Sequence, residues 1–80
     1  MATKRYNGHR SWNSWNVSLW ISNDEGLYNL ARECKREAID RPRPNTRAAE
    51  AFIALVGATH TPDGAPYNLR CVTEAIAGLD

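Results

Sequence analysis

The segment from Trp12 to Glu25 constrains this chain more than any other, because all three tryptophans lie between positions 12 and 20. Indole rings bury large areas and are over-represented where proteins recognise one another. Such a segment organises the hydrophobic core, forms a contact surface, or does both. It is not a catalytic signature, so it constrains the architecture more than the activity.

Helical periodicity is the first interpretation of this segment. At about 100° per residue, Trp12, Trp15 and Leu19 fall together on an apolar arc, while the serines recur at every fourth position on a stripe of their own. We therefore predict a helix over Trp12–Ser22, and we expect its wide apolar arc to bury most of the rings in the core.

A β-strand is the competing interpretation of the same residues. The odd positions from Trp15 to Ile21 are all apolar and alternate with the even ones, as in a half-buried strand. A strand would place Trp20 alone among polar residues and would leave its partner strands unidentified. These two points favour the helix.

A second helix is predicted directly after the first. Asn23 and Asp24 offer an N-cap, and Asp24 and Glu25 supply the negative charge that a helix N-terminus favours. This helix must stop before Arg41, because the two prolines that follow within three positions cannot lie inside one helix.

Two more helices are predicted, over about Thr46–Val56 and about Pro66–Ala77, with a loop over residues 59–66 between them. Gly57 is placed to end the third helix, and a proline is tolerated in the first turn of the fourth. The apolar positions that recur at helical spacing in the last three helices are Leu27, Leu30, Ala31, Cys34 and Ala38, then Ala48, Ala49, Phe52, Ile53 and Val56, and finally Leu69, Val72, Ile76 and Leu79.

These elements predict an all-α fold, a compact bundle of about four short helices preceded by an extended N-terminal arm over Met1–Arg10. With 80 residues we expect one small globular domain spanning residues 1–80. Cys34 and Cys71 lie far apart in sequence without a C-x-x-C pattern, so we interpret them as free, buried thiols.

Charge and hydropathy indicate where in the cell such a chain acts and which partners it does not attract. The formal net charge is +1, which gives no overall attraction to nucleic acid or membrane. No apolar run approaches the ~18 residues that a membrane span needs, and no hydrophobic signal region follows the basic pair Lys4 and Arg5. We expect a cytoplasmic protein that does not bind membranes.

Several kinds of chemistry lack the residues that they need. No nucleophile motif such as Gly-x-Ser-x-Gly is present, and His9 and His60 stand in loop-like regions. Metal ligands are scattered singly rather than at structured spacing, and the glycines form no phosphate-binding loop. We therefore predict that the protein is not an enzyme and uses no metal or cofactor.

Amide side chains accompany the tryptophans in the first segment. Asn13, Asn16 and Asn23 lie one or two helical turns apart. A buried asparagine must find hydrogen-bond partners, so these residues either tie neighbouring loops to the helix or contribute to recognition. We favour the first of these interpretations.

A basic neighbourhood spans the end of the second helix and the proline-rich turn. Its cations are suited to phosphate contacts, although Glu33, Glu37, Asp40 and Glu50 interleave with them and favour a solvated, partly paired surface. The candidate nucleic-acid-binding residues are Arg32, Lys35, Arg36, Arg41, Arg43 and Arg47, with Lys4, Arg5 and Arg10 from the arm.

Two stretches resemble a group of short, uncharacterised proteins of tailed phages and other mobile elements. The first runs from His9 to Tyr28 as His-x-x-Trp-Asn-x-Trp-Asn-Val-x-Leu-Trp-Ile-x-Asn-Asp-Glu-x-Leu-Tyr. The second begins with Thr61-Pro-Asp-Gly-Ala-Pro-Tyr-Asn-Leu and continues to the end. The group has no assigned catalytic residues, so the resemblance implies a setting rather than a reaction.

The resemblance implies a phage-type protein that binds a host protein in the host cytoplasm, as anti-CRISPR proteins do when they block a multi-subunit CRISPR effector. Effector complexes present basic channels for nucleic acid, so a blocking surface would be acidic or apolar. The candidate partner-binding residues are Asp24, Glu25, Glu33, Glu37 and Asp40. A small nucleic-acid-binding accessory protein is the alternative function, and either could be a monomer or a homodimer.

Overall fold

Within residues 9–79, which a computed structural model describes, the chain forms four helices and no strand. They are α1 (Trp12–Asn23), α2 (Glu25–Glu37), α3 (Pro44–Val56) and α4 (Leu69–Ala77). The predicted all-α class is confirmed, while the arm predicted over Met1–Arg10 lies outside the described residues except for His9 and Arg10. No helix in this part of the chain is long and apolar enough to cross a membrane.

Side-chain caps fix where three of the helices begin. The hydroxyl of Ser11 accepts from the backbone N–H of Ser14 at 3.2 Å, which starts α1 as a helix and shows that the strand interpretation was wrong. Asp24 caps α2 as predicted, accepting from the N–H of Leu27 at 3.0 Å. Asn68 accepts from the N–H of Cys71 at 2.8 Å, so α4 begins three residues later than predicted.

Proline and glycine set the two ends of α3. Pro44 is its first residue, two positions earlier than predicted, because the first turn of a helix needs no N–H from a proline. The preceding Arg43 has a left-handed backbone with φ of 50°, which turns the chain sharply into the helix. Gly57 ends α3 as predicted, with φ of 80°, where a residue with a Cβ would be strained.

The core lies where all four helices meet. α1 packs on α4 and α2, and α3 packs on the other sides of the same two helices. Phe52 is the largest fully buried side chain, and its ring meets the ring of Tyr67 edge to face with centroids 5.7 Å apart. Most of the remaining core residues are small, namely Ala31, Cys34, Ala38, Ala48, Ala49, Ala65, Cys71 and Ala75.

The predicted apolar stripes of α2 and α3 are confirmed, since their members are buried or packed against the core. The stripe of α4 is confirmed for Val72, Ile76 and Leu79, but Leu69 is 42% exposed. Leu69 is the first residue of the shortened helix. Both cysteines are free and buried, as predicted.

The prediction that most of the indole rings are buried is wrong as it stands. α1 turns Val17, Ile21 and the small Ser14 toward the core, and all three are at most 1% exposed. Trp12 lies half a turn away from Ile21 and is 37% exposed, while the other two indoles are half-buried. A core built mainly of alanine-sized side chains has little room for indoles, which are rarely buried completely.

Candidate functional site

The outer face of α1, defined here by Trp12, Trp15 and Leu19, is an apolar surface on the outside of the fold. These three residues lie at i, i+3 and i+7, so they share the side of the helix opposite the core. Trp12 and Leu19 are 37% and 36% exposed, and no charged residue occurs anywhere in α1. Exposed apolar patches without charge are typical of interaction sites.

An open groove of about 270 Å³ lies at the C-terminal end of this face. Its walls are Leu19, Trp20, Asn23 and Asp24. Most of the surface that it presents is apolar, and Asp24 is the acidic residue in its lining. The groove can accommodate one apolar side chain of a ligand, with a negative charge next to it.

A polar network holds Trp20 and the loop before α4 against α1. The amide of Asn16 and the indole N–H of Trp20 both donate to Oδ2 of Asp63, each at 2.9 Å. The hydroxyl of Thr61 donates to Oδ1 of Asn16 at 2.6 Å and accepts from the backbone N–H of Ala65 at 3.0 Å. For Asn16, the network confirms the prediction that asparagines of this segment tie neighbouring loops to the helix.

The two donors also set the charge state of Asp63. Hydrogen bonds from Asn16 first, and from Trp20 second, lower the pKa of this exposed carboxyl below its usual value. Asp63 therefore stays negatively charged beside the groove across the neutral range. Sequence reasoning did not single out Thr61 or Asp63, although both lie in the second of the two stretches that carry the resemblance.

A second polar cluster joins α1 to α4 on the side of the core. The hydroxyl of Ser14 donates to Oε1 of Glu74 at 2.8 Å, and Arg10 donates to Oε2 of Glu74 at 3.2 Å and to Ser14 Oγ at 3.0 Å. Partial burial raises the pKa of Glu74, but the bonds from Ser14 and Arg10 and the positive charges of Arg10 and Arg70 outweigh it, and the pKa is lowered. Ser14 is 1% exposed, which makes it a structural hydroxyl rather than a nucleophile.

Acid should weaken the fold partly through Glu74. Its folded pKa is lowered, so its contribution to stability is present above the unfolded pKa of about 4.3 and is lost as pH falls through the folded pKa. We expect the melting temperature to fall below about pH 4.3, and to fall less steeply in Glu74→Gln. Thermal melts across this range, with Glu37→Gln on the exposed face of α2 as control, measure the difference; equal slopes for the two variants contradict it.

The predicted partner-binding acids do not form one patch. Asp24 is half-buried at the junction of α1 and α2, while Glu25, Glu33, Glu37 and Asp40 are exposed along α2 and the turn after it. On the same face Asn29, Arg32, Glu33 and Arg36 line a common concavity. Charges of both signs therefore alternate along α2, and of these five acids only Asp24 lines the apolar groove.

The predicted nucleic-acid-binding residues make different contacts in the fold. Arg32 lies over the ring of Tyr28, 5.6 Å from its centroid. Arg47 pairs with Glu50 at 3.1 Å. Together with Pro42, three of the arginines line a concavity of about 270 Å³ before α3, and these are Arg41, Arg43 and Arg47.

Lys35 caps the C-terminal end of α4. Its ammonium donates to the carbonyl oxygens of Ile76 at 3.0 Å and Leu79 at 2.6 Å. Ile76 lies in the last turn of α4 and Leu79 just beyond its end, so a cation at this position complements the helix dipole. Lys35 is thus committed to a contact within the fold.

Removing the Lys35 ammonium should destabilise the protein. Lys35→Met keeps the aliphatic stem and loses both charge-assisted hydrogen bonds, so we expect the free energy of unfolding to fall by about 1–2 kcal/mol. Arg36→Met, at the exposed neighbouring position, should change it by less than about 0.5 kcal/mol. Urea denaturation followed by circular dichroism measures both, and equal losses would show that the Lys35 bonds contribute nothing.

Cys34 and the possible metal ligands are the remaining reactive side chains of the described residues. Burial first, and the nearby charges of Glu37 and Glu33 second, raise the pKa of the Cys34 thiol, which keeps it protonated and weakly nucleophilic. Across residues 9–79, no three histidine, cysteine or acidic side chains lie close enough together to hold a metal ion.

Comparison with known proteins places the chain in a family. No curated protein and no solved structure matches it. Residues 2–77 match a family of unknown function, DUF7249, and this match includes both the tryptophan segment and the loop that Asn16 and Trp20 hold in place. Since the match covers nearly the whole sequence, the chain belongs to this family of unknown function.

Proposed function

We propose that this protein is a binding protein rather than an enzyme, and that it uses the outer face and groove of α1 to contact another protein. The observation that carries the proposal is which side of α1 is buried and which is exposed. The helix places Val17 and Ile21 in the core and leaves Trp12 and Leu19 more than one third exposed. Tryptophan on an exposed helix face is a frequent anchor of protein interfaces.

The proposed partner is a host defence complex, and specifically a multi-subunit CRISPR effector that a phage-type inhibitor would occlude in the host cytoplasm. The resemblance of the two stretches to short phage proteins supports this choice. The acidic side chain of Asp24 in the groove and the exposed Glu25 that follows it support it as well, because an effector complex exposes basic surfaces for nucleic acid.

A charge on the outer face tests this proposal. Leu19→Lys places an ammonium at an exposed position, so the variant should fold normally and bind a partner at least about tenfold more weakly. Leu55→Lys is the matched control, because Leu55 is 65% exposed on α3, away from this face. The measurement is inhibition of target-DNA binding by purified effector complexes, one of each multi-subunit subtype, with circular dichroism to verify folding.

The outcomes separate the two parts of the proposal. Inhibition by the wild-type chain and Leu55→Lys but not by Leu19→Lys supports both the target and the face. Inhibition by all three proteins rejects the face, and inhibition by none of them rejects the effector as the target.

A small nucleic-acid-binding protein is the second candidate function, and the concavity lined by Arg41, Arg43 and Arg47 favours it. Fluorescence anisotropy with labelled single- and double-stranded DNA at about 50 mM salt tests it, since phosphate contacts are strongest there. The alternative predicts binding that weakens in Arg41→Gln/Arg43→Asn, where asparagine tolerates the left-handed backbone, but not in Arg70→Gln. Absence of binding at this salt concentration rejects it.

A further inference from the structure

We infer that the groove at the end of α1 takes a partner segment in which an apolar side chain lies next to a lysine or arginine. This inference rests on the proposed protein-binding function and specifies the chemistry of the partner. It combines two features of the groove, an apolar floor with a fixed indole and a rim of carboxylates.

The apolar floor is formed by Leu19 and Trp20. Leu19 is 36% exposed, so a docked side chain would remove a substantial apolar area from water. The Trp20 ring is held in place by its 2.9 Å hydrogen bond to Asp63, and Asp63 is held in turn by Asn16. Because the indole is already ordered, binding costs little side-chain entropy.

Two carboxylates lie at this floor, and a third follows in the chain. Asp24 lines the groove, Glu25 follows it and is exposed, and Asp63 contacts the indole N–H of Trp20. Among residues 9–79 none of the three forms a salt bridge. Both side-chain bonds to Asp63 go to Oδ2, so its Oδ1 has no side-chain donor from residues 9–79.

Within the described part of the chain, no salt bridge neutralises this rim. α1 has no cation of its own, and Arg10, at the opposite end of the helix, is paired with Glu74. The partial negative charge at the C-terminus of α1 adds to the rim, while the partial positive charge at the N-terminus of α2 offsets a fraction of one carboxylate. The groove therefore attracts a cation and repels a phosphate or an acidic peptide.

The same charges argue against a second copy of this chain as the occupant. A two-fold dimer through the groove would place the same patch on both subunits. Asp24, Glu25 and Asp63 of one copy would then face the same carboxylates of the other, and like charges across an interface cost several kcal/mol. A heterologous partner of opposite charge avoids this cost.

Selection of peptides from a random library tests the inference, because it does not require that the natural partner be identified. Phage-displayed random dodecapeptides are selected on the immobilised full-length chain and depleted on Leu19→Lys. We expect the enriched sequences to share a large apolar residue with lysine or arginine within three positions. Enrichment of neutral or acidic sequences, or no enrichment, overturns the inference.

Isosteric variants then test the rim directly. In Asp24→Asn/Glu25→Gln/Asp63→Asn the asparagine at position 24 still caps α2, and the amide oxygen at position 63 can still accept from Trp20. We expect a synthetic copy of the most enriched peptide to bind this variant at least tenfold more weakly than the wild type. Its neutral version, with glutamine for each lysine and arginine, should bind both proteins alike.

Two further measurements identify the site and its occupant. The indole N–H resonance of Trp20 should shift on peptide binding, whereas an unshifted resonance with equal affinity for the triple variant overturns the groove as the site. A dimer of the wild-type chain in sedimentation that is lost in Leu19→Lys overturns the heterologous partner in favour of a second copy.

If Leu19→Lys abolishes effector inhibition but the selected peptides are not basic, the proposed function stands and this inference fails.

Discussion

Replacing Phe52 with alanine should lower the free energy of unfolding by about 3–5 kcal/mol, the largest effect expected from any single substitution in this chain. Phe52 is completely buried and is the largest such side chain in the described core. Its neighbours Ala48 and Ala49 lie on the same helix and cannot move into the space that the ring leaves. The edge-to-face contact with Tyr67, at an interplanar angle of 72°, would also be lost.

A loss of this size would unfold much of the protein, since small domains are stable by only about 5–15 kcal/mol. Urea denaturation followed by circular dichroism measures it, and Leu55→Ala on the same helix is the control, because Leu55 is 65% exposed. Should Phe52→Ala leave no folded protein, Phe52→Leu gives a smaller loss of about 1–2 kcal/mol. A loss in Phe52→Ala no greater than in the control would contradict the position of Phe52 in the core.

Replacing Asn16 with alanine should cost about 2–3 kcal/mol, because it removes the buried centre of the network between α1 and the loop. Asn16 is 1% exposed; its oxygen accepts from Thr61 and its amide donates to Asp63. In the variant the buried hydroxyl of Thr61 loses its acceptor, and Asp63 keeps only the bond from Trp20. The cost therefore combines an unsatisfied polar group with a small cavity.

Two comparisons make this result specific. Asn13→Ala, at a half-buried position on the same helix and outside the network, should change the free energy of unfolding by less than about 0.5 kcal/mol. Asn16→Asp should be worse than Asn16→Ala at neutral pH, since it sets a second carboxylate against Asp63, and should recover in part as acid protonates one of the pair. Chemical denaturation at neutral and acid pH measures all three variants, and equal losses for Asn13 and Asn16 would show that the network does not stabilise the loop.

The helices and their limits could largely be predicted, because they depend on local chemistry. The N-cap at Asp24 and the stop at Gly57 are decided by a few neighbouring residues. The errors were also local in origin. Pro66 resembled a first-turn proline, but the side chain of Asn68 caps α4 two residues later.

The candidate site could be predicted only in part. The tryptophan segment and the acids Asp24 and Glu25 stand out in the sequence, and the structure brings Trp20 and Asp24 together in the groove. No sequence pattern identifies Asp63 as a site residue, because its contact with Trp20 joins residues that lie 43 positions apart. Lys35 has the sequence pattern of a surface cation, and only the packing of α2 against the end of α4 gives it a structural contact.

The sequence by itself favoured a helix over a strand for Trp12–Ser22, since the recurrence of serine at every fourth position is a property of the segment alone. Only the tertiary structure decided which side of that helix is buried. α1 is apolar on two sides, and periodicity alone does not choose between them. The choice follows from fit, because Ser14 lets α4 approach within hydrogen-bond distance and Asn16 receives the loop, while the bulkier indoles do not fit among the alanines of the core.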